Sequence, residues 1–183
     1  MVEITLENLT QFNNEGFFVA KGLLDPEIDL GPIKAEYKEV LDNAVSDLQA
    51  RGIIKNNYME LPFEKRISQV LEESDGELNK YLDITLPQKD INSQTPMHCG
   101  PAAFNLIRNF KLLDAVEQFI GSEIYSNPTQ HVRIKPPAHY LAGTTRVLSE
   151  IDTTVWHQDA GTGTSDADHT NTLTVWISVT EAS

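Results

Sequence analysis

A histidine and an aspartate two residues apart are the side chains in this sequence best suited to hold a metal ion. They are His157 and Asp159, within the segment TVWHQD at residues 154–159. Side chains two positions apart on an extended strand point to the same face, so an imidazole and a carboxylate would converge on one point. This pair suits Fe(II) in a facial site of two histidines and one carboxylate, which leaves three coordination positions open for a bidentate 2-oxo acid and dioxygen.

A His-x-Asp pattern alone has little specificity, and a simpler interpretation stays open. A histidine at a strand end can pair with a nearby carboxylate with no metal between them. The other histidines do not complete the set. His169 lies in a loop rich in glycine and aspartate, too close to Asp159 to reach the opposite side of an ion, and His98 and His139 have no ligand-like spacing. We expect His98 and His139 to lie at the surface or to contact the metal ligands without binding the metal themselves.

The elements that must position this pair are predicted from the periodicity of apolar residues. Apolar residues at helical spacing predict helices over residues 33–48, 63–71 and 112–120, the first stopped by Gly52 and the last by Gly121. Asp25 and Pro26 are typical of a helix cap and first position. Short β-rich segments predict strands, and most of them follow Gly121. They are residues 16–20, 124–125, 131–135, 153–156 and 173–179.

This order of elements predicts a mixed α+β chain that forms a single domain over residues 1–183. Residues 1–122 would be a mainly helical scaffold, and residues 123–183 the first part of a double-stranded β-helix of the jelly-roll or cupin type. The four or five later strands are fewer than the roughly eight that close a jelly roll. We therefore expect the barrel to be unclosed at Ser183, or completed by a partner.

The strand predicted at residues 131–135 has a polar and an apolar face. Alternation puts His131, Arg133 and Lys135 on one face and the aliphatic residues Val132 and Ile134 on the other. If the polar face lines the barrel, its donors could bind an acidic co-substrate. The alternative is a basic edge strand that faces solvent.

Taken together, these segments resemble the phytanoyl-CoA dioxygenase family. The resemblance runs from about residue 12 to residue 183. It is carried by FNNEGFFVAKGLL at 12–24, LLDAVEQFIGSEI at 112–124, HVRIKPP at 131–137, the TVWHQD segment, and LTVWISV at 173–179. It implies Fe(II) bound by His157 and Asp159, 2-oxoglutarate and O₂ as co-substrates, and hydroxylation of a small-molecule C–H bond. It also implies that Trp176 lines the 2-oxoglutarate pocket and that His131 contacts this co-substrate, with Gln158 as a weaker candidate. Arg133, a further candidate from the polar face of residues 131–135, departs from the small polar residue that the family has at this position.

The resemblance also implies a second histidine ligand and a carboxylate-binding arginine, both downstream of Ser183. The chain contains neither, so a non-catalytic jelly-roll binding module, or an inactive fragment without the distal iron ligand, stays open as an alternative. A metal-dependent hydrolase would need more ligands around His157 than the spacing offers. Related halogenases lack the carboxylate ligand, so the presence of Asp159 favours hydroxylation.

Composition limits the partners that the chain can have. The net charge of −13 disfavours nucleic acid, and it makes a small neutral or cationic substrate more attractive than a CoA thioester. No apolar run is long enough to span a membrane, and the acidic N-terminal residues do not resemble a secretory signal, so we expect a cytoplasmic protein. The single cysteine, Cys99, excludes an internal disulfide. The sequence does not indicate an oligomeric state.

Overall fold

The computed structural model describes residues 4–86, 91–127, 130–135 and 170–180. Within these ranges the chain forms six helices and no β-strand. No helix in the described ranges has the length and apolar character needed to cross a lipid bilayer. In chain order the helices are α1 (Leu6–Glu15), α2 (Gly31–Ala50), α3 (Phe63–Glu73), α4 (Asn79–Leu82), α5 (Pro101–Ile107) and α6 (Phe110–Ile120).

The chain divides into two compact units, and each is described by itself. Unit 1 comprises Met1–Ile33, Pro101–Ser126 and Trp156–Ser183. Unit 2 comprises Lys34–Gly100 and Asn127–Val155. The candidate functional site described below lies in unit 2.

Helix α2 provides the longest buried face of unit 2 and confirms the helix predicted at residues 33–48. Tyr37, Leu41 and Leu48 lie on one face at spacings of four and seven residues, and none is more than 6 % exposed. The chain leaves the helix at Gly52, whose φ of 70° is in the left-handed region that glycine adopts without strain. The backbone N–H of Ile53 then donates to the carbonyl of Leu48 at 2.9 Å.

Helix α3 confirms the second predicted helix and buries an arginine beside its apolar residues. Arg66 is buried together with Val70 and Leu71. Its Nε donates to the backbone oxygen of Asn57 at 2.9 Å, and its guanidinium also pairs with the Asp42 carboxylate on α2. A buried cation is costly without such partners, so these two contacts fix the loop at Asn57 and helix α2 relative to α3.

Helix α1 of unit 1 was not predicted, although its start carries a capping box. Thr5 Oγ1 accepts from the Asn8 backbone N–H at 3.2 Å, and Asn8 Oδ1 accepts from the Thr5 N–H at 3.1 Å. The rings of Phe12 and Phe18 contact Phe119 on α6, with centroid separations of 4.9 Å and 5.2 Å. These aromatic contacts hold α1 and the segment after it against α6.

Helix α6 confirms the third predicted helix, and its first turn is bound to Asp29. Asn109 caps the helix by accepting from the Lys111 backbone N–H at 2.9 Å. Its side-chain amide donates to Asp29 Oδ1 at 2.9 Å, and the Lys111 ammonium donates to Asp29 Oδ2. The helix start predicted at Asp25 and Pro26 is instead a turn. Asp25 does accept two backbone N–H groups there, but α2 begins only at Gly31.

The strand predictions are wrong for the described segments. Residues 16–20, 124–125, 131–135 and 173–179 are not strands, while residues 153–156 lie outside the described ranges. A segment rich in β-branched and aromatic residues only has side chains that pack well on a pleated, half-buried surface. A strand forms when another segment supplies a ladder of backbone hydrogen bonds. At residues 130–132, backbone donors are bonded to side chains instead.

The predicted mixed α+β fold with a double-stranded β-helix core is therefore contradicted. The described part of the chain is helical and contains no sheet. Its core consists of apolar helix faces and of the turns that connect them. The fully buried large apolar residues are Leu41, Leu48, Val70, Leu71, Leu78 and Leu82.

Truncation of a buried leucine in α2 should destabilise unit 2. Leu48→Ala removes most of a side chain that is 0 % exposed and should lower the free energy of unfolding by about 3 kcal/mol, because a cavity is left in a packed core. Chemical denaturation followed by circular dichroism measures this loss. Lys38→Ala, an exposed change on the same helix, is the control and should stay within about 0.5 kcal/mol of wild type. Equal stability of the two variants would contradict this packing.

The Asp29 contact should make the stability of unit 1 depend on acidity. The Lys111 ammonium bound to its carboxylate is the main cause that lowers the pKa of Asp29 from 3.8 to about 2. Because the folded pKa is below the unfolded one, the contact stabilises the fold above about pH 4, and its contribution is lost as the pH falls towards 2.

Asp29→Asn should therefore lower the melting temperature at neutral pH, and its deficit relative to wild type should shrink between pH 4 and pH 2. Thermal melts across this range measure the deficit. Glu117→Gln, an exposed change on α6, is the matched control. A deficit for Asp29→Asn that is constant with pH would contradict the ionic contact.

Candidate functional site

His131 is the predicted co-substrate residue whose surroundings the structure describes in most detail. In residues 131–135 the exposure alternates: His131, Arg133 and Lys135 are exposed, and the two aliphatic residues between them are half-buried. The polar face expected from the sequence is therefore present, and it faces solvent as in the alternative interpretation, although the segment is not a strand. The His131 side chain is 34 % exposed, and that of its partner Asp83 is 21 % exposed.

Asp83 follows the end of helix α4 and binds three separate parts of unit 2. Its Oδ2 lies 2.9 Å from His131 Nδ1, and its Oδ1 accepts the backbone N–H of Val132 at 3.1 Å. The same Oδ1 accepts the N–H of Ile84 at 2.8 Å. The backbone oxygen of Asp83 accepts from the N–H of His98 at 3.0 Å. A single residue thus positions the imidazole of His131 and the two chain segments beside it.

Thr85 makes a second set of contacts between the same two segments. Its hydroxyl donates to the backbone oxygen of Gln130 and accepts the backbone N–H of Gln130 at 3.1 Å. Together with Asp83, it therefore bonds backbone groups of Gln130 and Val132 on either side of His131. The position of the imidazole is fixed from its own backbone as well as from its ring.

A second pair of histidine and carboxylate lies near the first. His98 Nε2 is 2.9 Å from Glu36 Oε1, and their side chains are only 16 % and 13 % exposed. The His98 ring also packs edge-on against Tyr37, with a centroid separation of 5.2 Å. The Tyr37 hydroxyl donates to the backbone oxygen of Leu82 at 2.8 Å, one residue before Asp83. Burial, with smaller contributions from the charges of Asp83 and Glu36, raises the pKa of Tyr37, so its hydroxyl remains a donor.

Gly100 makes room for this second pair. A Cβ atom at this position would overlap the Glu36 carboxylate and the His98 Nε2. Gly100 itself is buried, and its φ is not in the left-handed region, so space and not backbone conformation requires glycine here.

The predicted metal ligands are not among the residues that the structure describes. His157, Gln158 and Asp159 lie outside the described residues, as do His139 and His169. Trp176 is described and belongs to unit 1, where it is 70 % exposed. His131 and Arg133 belong to unit 2. Among the described residues, no three side chains of histidine, cysteine, aspartate or glutamate are grouped so that they could hold a metal ion.

Sequence reasoning did not find Asp83 and Glu36. Asp83 is 48 residues from His131, and Glu36 is 62 residues from His98, so no local spacing links either pair. Glu36 is one charged residue among several on helix α2. The one sequence signal near His98 is Gly100, because a glycine can mark a place where another group packs closely against the backbone. It does not indicate that this group is Glu36.

The carboxylate partner of each ring indicates which ring nitrogen is the donor. An ionised carboxylate can only accept a hydrogen bond, so Nδ1 of His131 and Nε2 of His98 must be the donors. His131 therefore turns its other nitrogen, Nε2, away from Asp83. In a neutral ring this Nε2 accepts a hydrogen bond or binds a metal, and in a protonated ring it donates to an anion.

Comparisons with known proteins do not add an assignment. No family model matches the chain, and neither a curated protein nor a solved structure matches it. The resemblance to phytanoyl-CoA dioxygenases therefore stays a prediction from the sequence motifs.

The tight contact at Gly100 can be tested by adding one methyl group. Gly100→Ala should lower the free energy of unfolding by about 1–3 kcal/mol, because the Glu36 carboxylate and the His98 ring must move apart. Gly31→Ala is the matched control, since nothing lies within 4 Å of a Cβ built there. It should leave the stability unchanged or raise it slightly. Denaturant titration of both variants measures the difference, and equal tolerance would contradict the packing around Gly100.

Proposed function

We propose that this protein is a non-haem Fe(II)- and 2-oxoglutarate-dependent dioxygenase that hydroxylates a C–H bond of a small molecule. The observation that carries the proposal is the His157-x-Asp159 pair, in sequence order with the HVRIKPP and LTVWISV segments.

The residues fit iron by chemical type. An imidazole and a carboxylate are the donors that Fe(II) takes in oxygenase sites with open positions. His157 and Asp159 would hold the metal, and a second histidine would be the third ligand. When bound, the iron and the 2-oxo acid supply the oxidising chemistry, while the protein supplies binding, orientation and a site from which water is excluded.

The other predicted residues would bind the co-substrate. An acidic 2-oxo acid needs hydrogen-bond donors, and His131, Arg133 and Lys135 are donor residues that share an exposed face. His131 is held by Asp83 through Nδ1, so Nε2 is the ring nitrogen that could meet the ligand. Trp176 would contribute an apolar wall to the 2-oxoglutarate pocket.

Charge and composition support a restricted set of substrates and surroundings. The net charge of −13 favours a small neutral or cationic substrate over a CoA thioester. The single cysteine cannot form an internal disulfide that an oxidising compartment would maintain, which supports a cytoplasmic location.

An anaerobic titration tests the proposed metal site. Addition of Fe(II) and 2-oxoglutarate to the wild-type protein should give a visible metal-to-ligand charge-transfer band. His157→Ala and Asp159→Ala should each weaken iron binding by more than about a hundredfold, since the loss of a ligand exceeds the 10–100-fold effect of losing a group that orients one. Circular dichroism should show that both variants keep the fold.

His169→Ala is the matched control, because it removes a histidine from the same part of the sequence. It should retain the band. Unchanged iron affinity in both ligand variants would contradict the assignment. A folded wild-type protein that gives no band would favour the non-catalytic binding module.

A further inference from the structure

We propose that Asp83 is a positioning residue that fixes His131 for recognition of the anionic co-substrate. This inference rests on the proposed function, because it assigns a role within the same 2-oxo acid site. It adds to the motif-based prediction a residue that no motif contains. Asp83 would act through His131 and would not itself touch the ligand.

The two carboxylate oxygens of Asp83 have different hydrogen-bond partners. Oδ1 accepts the backbone N–H groups of Ile84 and Val132, while Oδ2 accepts from His131 Nδ1. The two backbone bonds hold the carboxylate in place, so Oδ2 faces the imidazole in a fixed direction. The ring then presents Nε2 from a side chain that is 34 % exposed.

The negative charge of the co-substrate determines whether Nε2 must donate or accept a hydrogen bond. A carboxylate ligand cannot donate, so Nε2 has to carry a hydrogen when the ligand binds. Nδ1 already carries one, because it donates to Asp83. A ring that donates to both Asp83 and the ligand carries two hydrogens and a positive charge, and the Asp83 carboxylate lies beside it. Hydrogen bonds between such charged groups are roughly twice as strong as neutral ones.

Asp83→Asn is the variant that separates this role from a merely structural one. The two backbone N–H groups need an acceptor, so the amide oxygen should keep the position of Oδ1. The amide NH₂ group then faces His131 Nδ1 and donates to it. Nδ1 loses its hydrogen, and Nε2 carries the single hydrogen of a neutral ring.

Nitrogen-15 NMR of the His131 ring detects this change directly. We expect a protonated Nδ1 in the wild-type protein and a bare Nδ1 in Asp83→Asn, with the ring signals assigned by their loss in His131→Gln. Glu36→Gln is the matched control, because it makes the same change from carboxylate to amide at the other histidine. It should leave the His131 signals unchanged.

Binding of 2-oxoglutarate to the Fe(II)-loaded protein, measured anaerobically, supplies the second readout. Asp83→Asn should weaken binding by about tenfold, since a neutral hydrogen bond replaces a charge-assisted one. Glu36→Gln should change the affinity by less than about twofold, as expected for a change that leaves the ligand contact intact. In a double-mutant cycle, Asp83→Asn combined with His131→Gln should bind no more weakly than His131→Gln alone, because Asp83 acts through the ring.

A protonated Nδ1 in Asp83→Asn, or wild-type affinity despite a bare Nδ1, would overturn the proposal. If the amide variant does not fold, Asp83→Ser keeps a hydroxyl acceptor for the neighbouring N–H and carries the same expectation for affinity. Failure of the proposed function has a different signature. The wild-type protein would then bind no 2-oxoglutarate, while the NMR signals would still show Asp83 controlling the His131 ring.

Discussion

The Asp83 carboxylate is the group on which the arrangement of the candidate site depends. Ile84 and Val132 each donate a backbone N–H to this carboxylate, and the ring of His131 contacts its other oxygen. The backbone oxygen of the same residue accepts the N–H of His98. Backbone donors removed from water need an acceptor, and an extended segment without a neighbouring strand has no internal one. Asp83 and Thr85 supply these acceptors from their side chains. The irregular segment that carries His131 can therefore be ordered without a sheet.

The local charges near His131 differ in sign from the chain as a whole. The protein has a net charge of −13, yet residues 131–135 expose a histidine, an arginine and a lysine on one side. The net charge of the whole protein affects how a charged ligand approaches from a distance. The hydrogen-bond donors at the site determine whether the ligand binds there. An acidic protein can therefore bind an anion if its carboxylates near the site already have partners. Asp83 and Glu36 are both engaged in this way by histidines.

The sequence predicted the parts of the fold that follow from local periodicity. Helices α2, α3 and α6 lie where the apolar periodicity predicted them, and Gly52 and Gly121 end two of them as expected. Strands were predicted wrongly at residues 131–135 and 173–179, because a strand depends on a partner that composition does not reveal. The carboxylate partners of His131 and His98 were not predicted for a related reason. The His131–Asp83 contact joins residues 48 positions apart, and the His98–Glu36 contact joins residues 62 positions apart. The periodicity of a helix or a strand gives no information about contacts between residues so far apart in the sequence.

The crowding at Gly100 limits how this protein can vary during evolution. Any side chain at this position would occupy the space of the Glu36 and His98 groups, so a larger residue becomes acceptable only when one of those two is shortened. The three positions should therefore covary among related proteins, although helix α2 is far in sequence from the other two. A glycine retained together with a glutamate and a histidine at these separations would be a structural fingerprint, by which distant relatives could be recognised after overall similarity has been lost.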